Sequence, residues 1–328
     1  MQTTTLASDR SASAAVLLAL ACAAFPASSQ DFPVKPVRWI VPYAPGGSSD
    51  ILARLIGQRL TENWKQAFVV DNRPGAAGNI GTEAVARAPA DGYTMLLVAS
   101  TFAMNPSVYA KLPFDTIRDF APVTMVMRQP FILSVHPSLP VTSVRQLIAL
   151  ARLRPGELNF ASGGSGTSGH IAAALFEMMG NVKFTHVPYR SMGPAITALL
   201  TGEVQLSFNT SIAALPYAKA GRLRPLGTTG LKRIAALPGV PTIAEAGVPG
   251  YQEEAWQGVL VPAGTPRTIV SRLNQDIVRV TQARDVSDRI AEVGGYVIAN
   301  TPEEFAAALK ADIQKYAKLV KVAGIRVE

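Results

Sequence analysis

Of 328 residues only one is cysteine, Cys22, and it lies in an apolar run near the amino terminus. A chain cleaved after that run holds no disulfide and no thiol nucleophile, even in an oxidising compartment. Histidine is nearly as scarce. His136, His170 and His186 are the three, and none stands at metal-ligand spacing from another histidine or a carboxylate. Charged residues make up 16%, below the usual quarter. Past the leading segment no stretch reaches eighteen apolar residues, which argues against a spanning helix. Arginine and lysine are scattered, as at Arg222, Arg224, Lys232 and Arg233. With no dense basic tract and no zinc-finger spacing, no nucleic-acid partner is expected. The formal charge of +8 suits steering of small anions, or simply a solvated basic surface.

The amino terminus carries a targeting pattern. Met1–Arg10 is polar, Ala12–Phe25 is apolar, and the small residues Ala27-Ser28-Ser29 follow. This reads as a secretory signal over residues 1–29, removed from the folded protein. Lipid attachment at Cys22 is the alternative, although Ala19 stands where lipoprotein signals carry leucine.

Behind it, strand and helix patterns alternate, which predicts an α/β fold with mostly parallel sheets. Val37–Val41, Ala67–Val70 and Tyr93–Ala99 read as strands, with helices from Ile51 and over Ala76–Ala88. Val123–Met127 and Phe131–Val135 form a strand region broken by Arg128-Gln129-Pro130, and the chain is expected to cross into a second unit there. That unit has strands at Leu158–Ala161, Phe184–Val187, Val204–Phe208 and Leu223–Thr228, with helices at Val144–Leu153, His170–Met179 and Pro194–Leu200. Tyr251–Val261 returns, and Ile269–Val280 and Pro302–Val320 are the clearest helices.

Two glycine-rich loops, each between a strand and a helix, are the chemical signal. One is Tyr43-Ala44-Pro45-Gly46-Gly47-Ser48-Ser49-Asp50, and the other is Ser162-Gly163-Gly164-Ser165-Gly166-Thr167-Ser168-Gly169-His170. Glycine allows close approach to the backbone, and a helix start offers N–H donors and a partial positive charge to a phosphate or carboxylate. Both are also compatible with being plain tight turns. Neither fits a dinucleotide fingerprint with its downstream acid, and neither ends in the Lys-Ser or Lys-Thr of a P-loop, so no nucleotide cofactor is expected. Gly166–His170 nearly matches the nucleophile elbow of serine hydrolases. His170 replaces the last glycine, leaving Ser168, His170 and Asp50 as a conceivable triad.

The stretches Trp39–Asp50, Val70–Gly78, Ala161–His170, His186–Arg190, Pro241–Gly247 and Val261–Pro266 follow one another over nearly the whole chain after the signal. In them the sequence resembles the Bug proteins, the TctC-like solute receptors of tripartite tricarboxylate transporters. The resemblance implies a monomeric periplasmic protein of the type II-like, two-lobed kind, with no catalytic residues and no metal. Lobe 1 would comprise residues 30–127 and 252–328 and lobe 2 residues 128–251, hinged near Val126–Phe131 and Tyr251–Gly258. It implies a small organic acid or acidic amino acid as ligand, one carboxylate lying between the loops, and transient contact with inner-membrane transporter subunits. A signalling receptor without transport is the companion reading. The implied contacts are Tyr43, Ala44, Gly46, Gly47, Ser48 and Asp50 from the first loop, and Ser162, Gly166, Thr167 and His170 from the second. Thr101 and Asn209 would line the variable end. Asp50 is either the partner of a ligand ammonium or a first-turn cap. The pattern departs at Gln205, where many members carry aspartate.

Overall fold

The computed structural model describes residues 32–292 and 294–323. The expected signal segment and Cys22 lie outside them. From Lys35 the chain forms one compact α/β unit.

Its strands are β1 (Val37–Val41), β2 (Phe68–Asn72), β3 (Thr94–Ala99), β4 (Phe120–Val135) and β5 (Asn159–Ser162). They continue as β6 (Thr185–Pro188), β7 (Leu206–Thr210), β8 (Arg224–Thr228), β9 (Glu254–Pro262) and β10 (Tyr296–Val297). The main path runs β2-β1-β3-β9-β4-β7-β5-β6, with β8 and β10 both pairing β4. Within lobe 1, β1 pairs β2 and β3 in parallel; within lobe 2, β5 pairs β6 and β7 in parallel. Every ladder to β4 or β9 is antiparallel. The expectation of mostly parallel sheets is therefore corrected to mixed ones. The reason is the crossing itself: β4 leaves lobe 1 and β9 returns beside it, and neighbours that cross in opposite senses pair antiparallel.

Residues Arg128-Gln129-Pro130 do not break β4. They pair with Trp256, Ala255 and Glu254 of β9, so the two crossing segments are hydrogen-bonded to each other. Beyond them Phe131–Val135 changes partners to β7 and β8. Proline is tolerated here because this is where the ladder changes hands.

Register fixes where the lobes meet. Ala99, at the end of β3, pairs Gln257, which pairs Met127 of β4. Thr210, at the end of β7, pairs Phe131 of β4. The carboxyl ends of the parallel strands from both lobes thus arrive within four residues of one another along β4, roughly 13 Å. Loops leaving those ends share one cleft, the usual ligand position in open α/β sheets.

Helices cover the sheet: α1 (Ser48–Trp64), α2 (Asn79–Ala86), α3 (Thr101–Val108), α4 (Val144–Leu153) and α5 (Ser168–Gly180). Then come α6 (Met192–Thr201), α7 (Ser211–Lys219), α8 (Arg267–Gln282), α9 (Arg284–Glu292) and α10 (Pro302–Ala323). Four of these, α1, α3, α5 and α7, start within a few residues of the ends of β1, β3, β5 and β7. The start of α10 is a reciprocal capping box. Thr301 N–H donates to Glu304 Oε2 at 2.9 Å, and Glu304 N–H donates to Thr301 Oγ1 at 3.2 Å. This helix packs on the crossing strands. Trp256 Nε1 donates to Asp312 at 2.7 Å, and Glu253, fully buried, accepts from Lys315 at 2.7 Å and Tyr316 at 3.0 Å. The apolar core beneath runs through both lobes, from Ile40 and Leu96 past Phe131 and Trp256 to Phe160 and Phe208.

Candidate ligand site

The two loops have the same backbone solution. Gly46 (φ +79°) and Gly166 (φ +74°) take left-handed conformations, and each is followed by an extended N-cap residue, Gly47 (φ −76°, ψ 168°) and Thr167 (φ −75°, ψ 159°). Three residues past each N-cap a side chain turns back to hold the loop. Asp50 Oδ2 accepts the Gly46 N–H at 2.9 Å; His170 Nδ1 accepts the Gly166 N–H at 3.1 Å. The acceptor differs while the position does not. Each brace fixes the loop that leads from its strand into the first turn of α1 or α5, where the N–H groups have no carbonyl partner within their own helix.

Asp50 is buried and spends its charge locally: besides Gly46 it meets Arg54 at 2.9 Å. The Arg54 guanidinium beside Oδ1 holds its carboxyl below the ordinary aspartate range. That position suits a brace more than a partner for a ligand ammonium. His170 is pushed down to about 4, first by burial and then by the neighbouring His186, whose ring stacks on it at 3.9 Å. The imidazole is therefore neutral near pH 7. Because Nδ1 accepts, its proton sits on Nε2.

Ser162 is fully buried. Its hydroxyl meets His186 Nε2 at 2.7 Å and Gly164 O at 3.0 Å, and it accepts the Gly164 N–H at 3.1 Å. Thr167 is half-buried and its hydroxyl donates to Gly164 O at 2.8 Å. Both hydroxyls knit the second loop. Ala44, Gly46, Gly47 and Ser48 are exposed on the first. The Tyr43 hydroxyl accepts the Ala99 N–H at 3.0 Å and lies 3.0 Å from Thr101 Oγ1, which ties the first loop to the end of β3. Asn209 is fully buried on β7. Its Oδ1 accepts from Ser207 at 3.1 Å, and its Nδ2 has no partner among the described residues.

Three residues escaped the sequence reading. Gln257, on β9, donates to Ser48 Oγ at 3.1 Å, and its buried Oε1 has no partner among the described residues. Ser100 Oγ lies 3.3 Å from Ser168 Oγ, which joins the end of β3 to the start of α5 across the cleft. His186 props both Ser162 and His170. Gln257 had a sequence signal, a lone amide in the apolar run Trp256–Val261; the pairings of Ser100 and His186 had none. Gln205 belongs elsewhere. Its side chain accepts the Asn159 N–H at 2.9 Å, at the start of β7 and away from the cleft.

The conceivable triad is not assembled. Ser168 bonds Ser100, His170 Nδ1 bonds the Gly166 N–H, and Asp50 bonds Gly46 and Arg54. Ser168 and His170, two apart on one helix, also diverge in direction. Among the described residues no group of three or more His, Cys, Asp or Glu could hold a metal ion, and no helix is long and apolar enough to cross a membrane.

Residues 52–325 match the model of the tripartite tricarboxylate transporter family receptor. Protein BugT of Bordetella pertussis is 35% identical over 315 residues, covering 95% of this chain and 97% of that protein. Among solved structures, Rpa4515 of Rhodopseudomonas palustris with adipate is 40% identical with a TM-score of 0.79, covering 90% of this chain and 100% of that one. MatC of the same organism, with bound malate, is 30% identical with a TM-score of 0.74, covering 88% and 100%. The two-lobed α/β fold with two matched loops at its cleft, and these likenesses along nearly the whole described chain, have one meaning: the chain belongs to the Bug, or TctC-like, family of periplasmic solute-binding receptors of tripartite tricarboxylate transporters.

Proposed function

We propose that this receptor captures a small carboxylate-containing solute in the periplasm as a monomer and delivers it to a tripartite tricarboxylate-type transporter. The observation that carries the proposal is the matched pair of loops. Two helix starts from two lobes, each braced by a residue at the same position, present N–H donors to one cleft. Adipate and malate in the two solved relatives are acids of this class.

In this reading the carboxylate lies between Ala44–Ser48 and Gly166–Ser168. Thr101, Asn209 and Gln257 face the rest of the ligand, while Tyr43, Asp50, Ser162, Thr167 and His170 hold the loops in shape. Lobe 1 comprises residues 30–127 and 252–328, and lobe 2 residues 128–251. Neither loop carries an arginine, so recognition rests on neutral donors and helix ends rather than a guanidinium clamp. Because Asp50 is committed to Arg54, acids without an ammonium group are favoured over amino acids.

A thermal-shift screen of dicarboxylates, tricarboxylates, acidic amino acids and aromatic acids tests this. Stabilisation by at least one acid class is expected. Stabilisation by none, together with ester or amide turnover that depends on Ser168 and His170, would overturn it. Uptake measured with the transporter subunits present separates delivery from a purely signalling role.

A further inference from the structure

Beside the first loop lies a second feature that the carboxylate reading does not use. A cavity of about 90 Å3 opens along α1 from Ser48 past Ile51 to Leu55. Its other walls are Met127 and Gln129 of β4, Ile212 at the start of α7, and Arg289 and Ile290 on α9. It lies between the lobes, since α1 belongs to one and α7 to the other. Ile51 and Ile212 are 44% and 41% exposed, so each lobe offers a branched aliphatic side chain that its own core does not cover. Burying such groups against an apolar ligand removes that surface from water. The slot is continuous with the candidate carboxylate site through Ser48, whose hydroxyl is held by Gln257 at 3.1 Å. Its lining includes no aromatic ring, two uncharged polar side chains, Ser48 and Gln129, and one cation, Arg289, which pairs with the exposed Glu292 at 2.6 Å.

We propose that this slot is the specificity pocket. It takes the unsubstituted aliphatic body of a linear dicarboxylate, with one carboxylate at the two glycine loops and the other within reach of Arg289. This rests on the receptor reading above for the carboxylate at the loops, and replaces its variable end: Ile51, Met127, Ile212 and Arg289, rather than Thr101 and Asn209, face the body of the ligand. Branched polyacids are disfavoured by the small volume of the slot, and a hydroxyl is disfavoured wherever it lies against Ile51, Met127 and Ile212, out of reach of Ser48 and Gln129, because there it loses its water without gaining a partner. A methylene placed in the slot gains about 0.8 kcal/mol, close to a fourfold change in Kd.

The test is calorimetric titration of the mature chain with succinate, glutarate, adipate, pimelate and suberate, with malate, citrate and hexanoate alongside. Affinity is expected to rise about fourfold per added methylene until the slot is full. Adipate should exceed both malate and hexanoate. Ile51→Ser and Ile212→Ser lie on the surface, and their folding is checked by unliganded thermal unfolding. They should flatten the gradient while leaving succinate within about twofold, and Arg289→Gln should erase the advantage of adipate over hexanoate. Binding of these acids with no dependence on chain length, or a gradient indifferent to both serine variants, would overturn the slot and leave the receptor reading standing. If no carboxylate binds at all, both fall.

Discussion

At the residue scale the cleft is built from acceptors that hold donors in place. Ser162 is the clearest case, because one buried hydroxyl serves Gly164 twice and His186 once. Replacing it with alanine strands the Gly164 N–H and the His186 ring nitrogen. Ser162→Ala should therefore lose about 1–3 kcal/mol of stability in urea unfolding, as buried polar groups left unpaired do. An unchanged midpoint would mean that the hydroxyl does not brace the loop.

His170 makes the loop pH-dependent. Its ionisation is pushed down to about 4 in the folded protein, while the unfolded chain protonates near 6.5. Between those values the unfolded state binds more protons, so stability is full above about 6.5 and declines as pH falls toward 4. His186, also pushed down by burial, adds loss of the same sign. The His170 share is at most about 3–4 kcal/mol at 1.36 kcal/mol per unit. His170→Asn keeps an acceptor for Gly166 and removes that share. Unfolding midpoints of the wild type and this variant, followed from pH 7 to pH 4, should converge or cross as the wild type falls faster; parallel curves would rule it out.

At the element scale, close approaches position the helices that carry the donors. Gly169, in the first turn of α5, faces the carbonyl oxygen of Phe208, which an added Cβ would meet at 2.8 Å. Gly169→Ala should push α5 off β7, cost about 1–3 kcal/mol and weaken ligand binding together with stability. A fully stable variant with normal affinity would show that this contact is slack. The crossing has its own anchor in Glu253. Glu253→Ala removes the nearer of the two carboxylates from Lys315, which keeps Asp312 at 3.5 Å, and strands the buried Tyr316 hydroxyl; it should cost about 1–3 kcal/mol in the same unfolding assay.

Much of this architecture was legible in the sequence. The sequence marks Val37–Val41 and Val144–Leu153 with the observed bounds, since one is a clean apolar strand before Pro42 and the other an amphipathic run behind Ser143. Two helices near the loops carry no sequence signal. Thr101–Val108 and Ser211–Lys219 contain Pro106 and Pro216 and lack a one-sided apolar stripe, so neither periodicity nor propensity marks them. The sequence suggests a break in β4 at Arg128–Pro130 because pairing to β9 is a long-range fact that local pattern does not carry. The loops were visible as glycine clusters. Their likeness was not, because Asp50 and His170 share a position and a task while sharing no chemistry.

At the scale of the whole molecule, two lobes joined by paired strands can close on a solute. β4 and β9 are hydrogen-bonded through Arg128–Pro130 and Glu254–Trp256, so closure would bend a two-stranded ribbon rather than open a loose linker. Small-angle scattering at saturating acid should show a smaller radius of gyration than without it. An unchanged curve would argue against large closure.

The most direct measurement is a crystal structure of the mature chain with the acid that stabilises it most. One carboxylate should lie between the lobes, within hydrogen-bonding distance of first-turn N–H groups of both α1 and α5, directly or through one water. A carboxylate held by only one loop, or bound outside the cleft, would contradict the paired-loop mechanism.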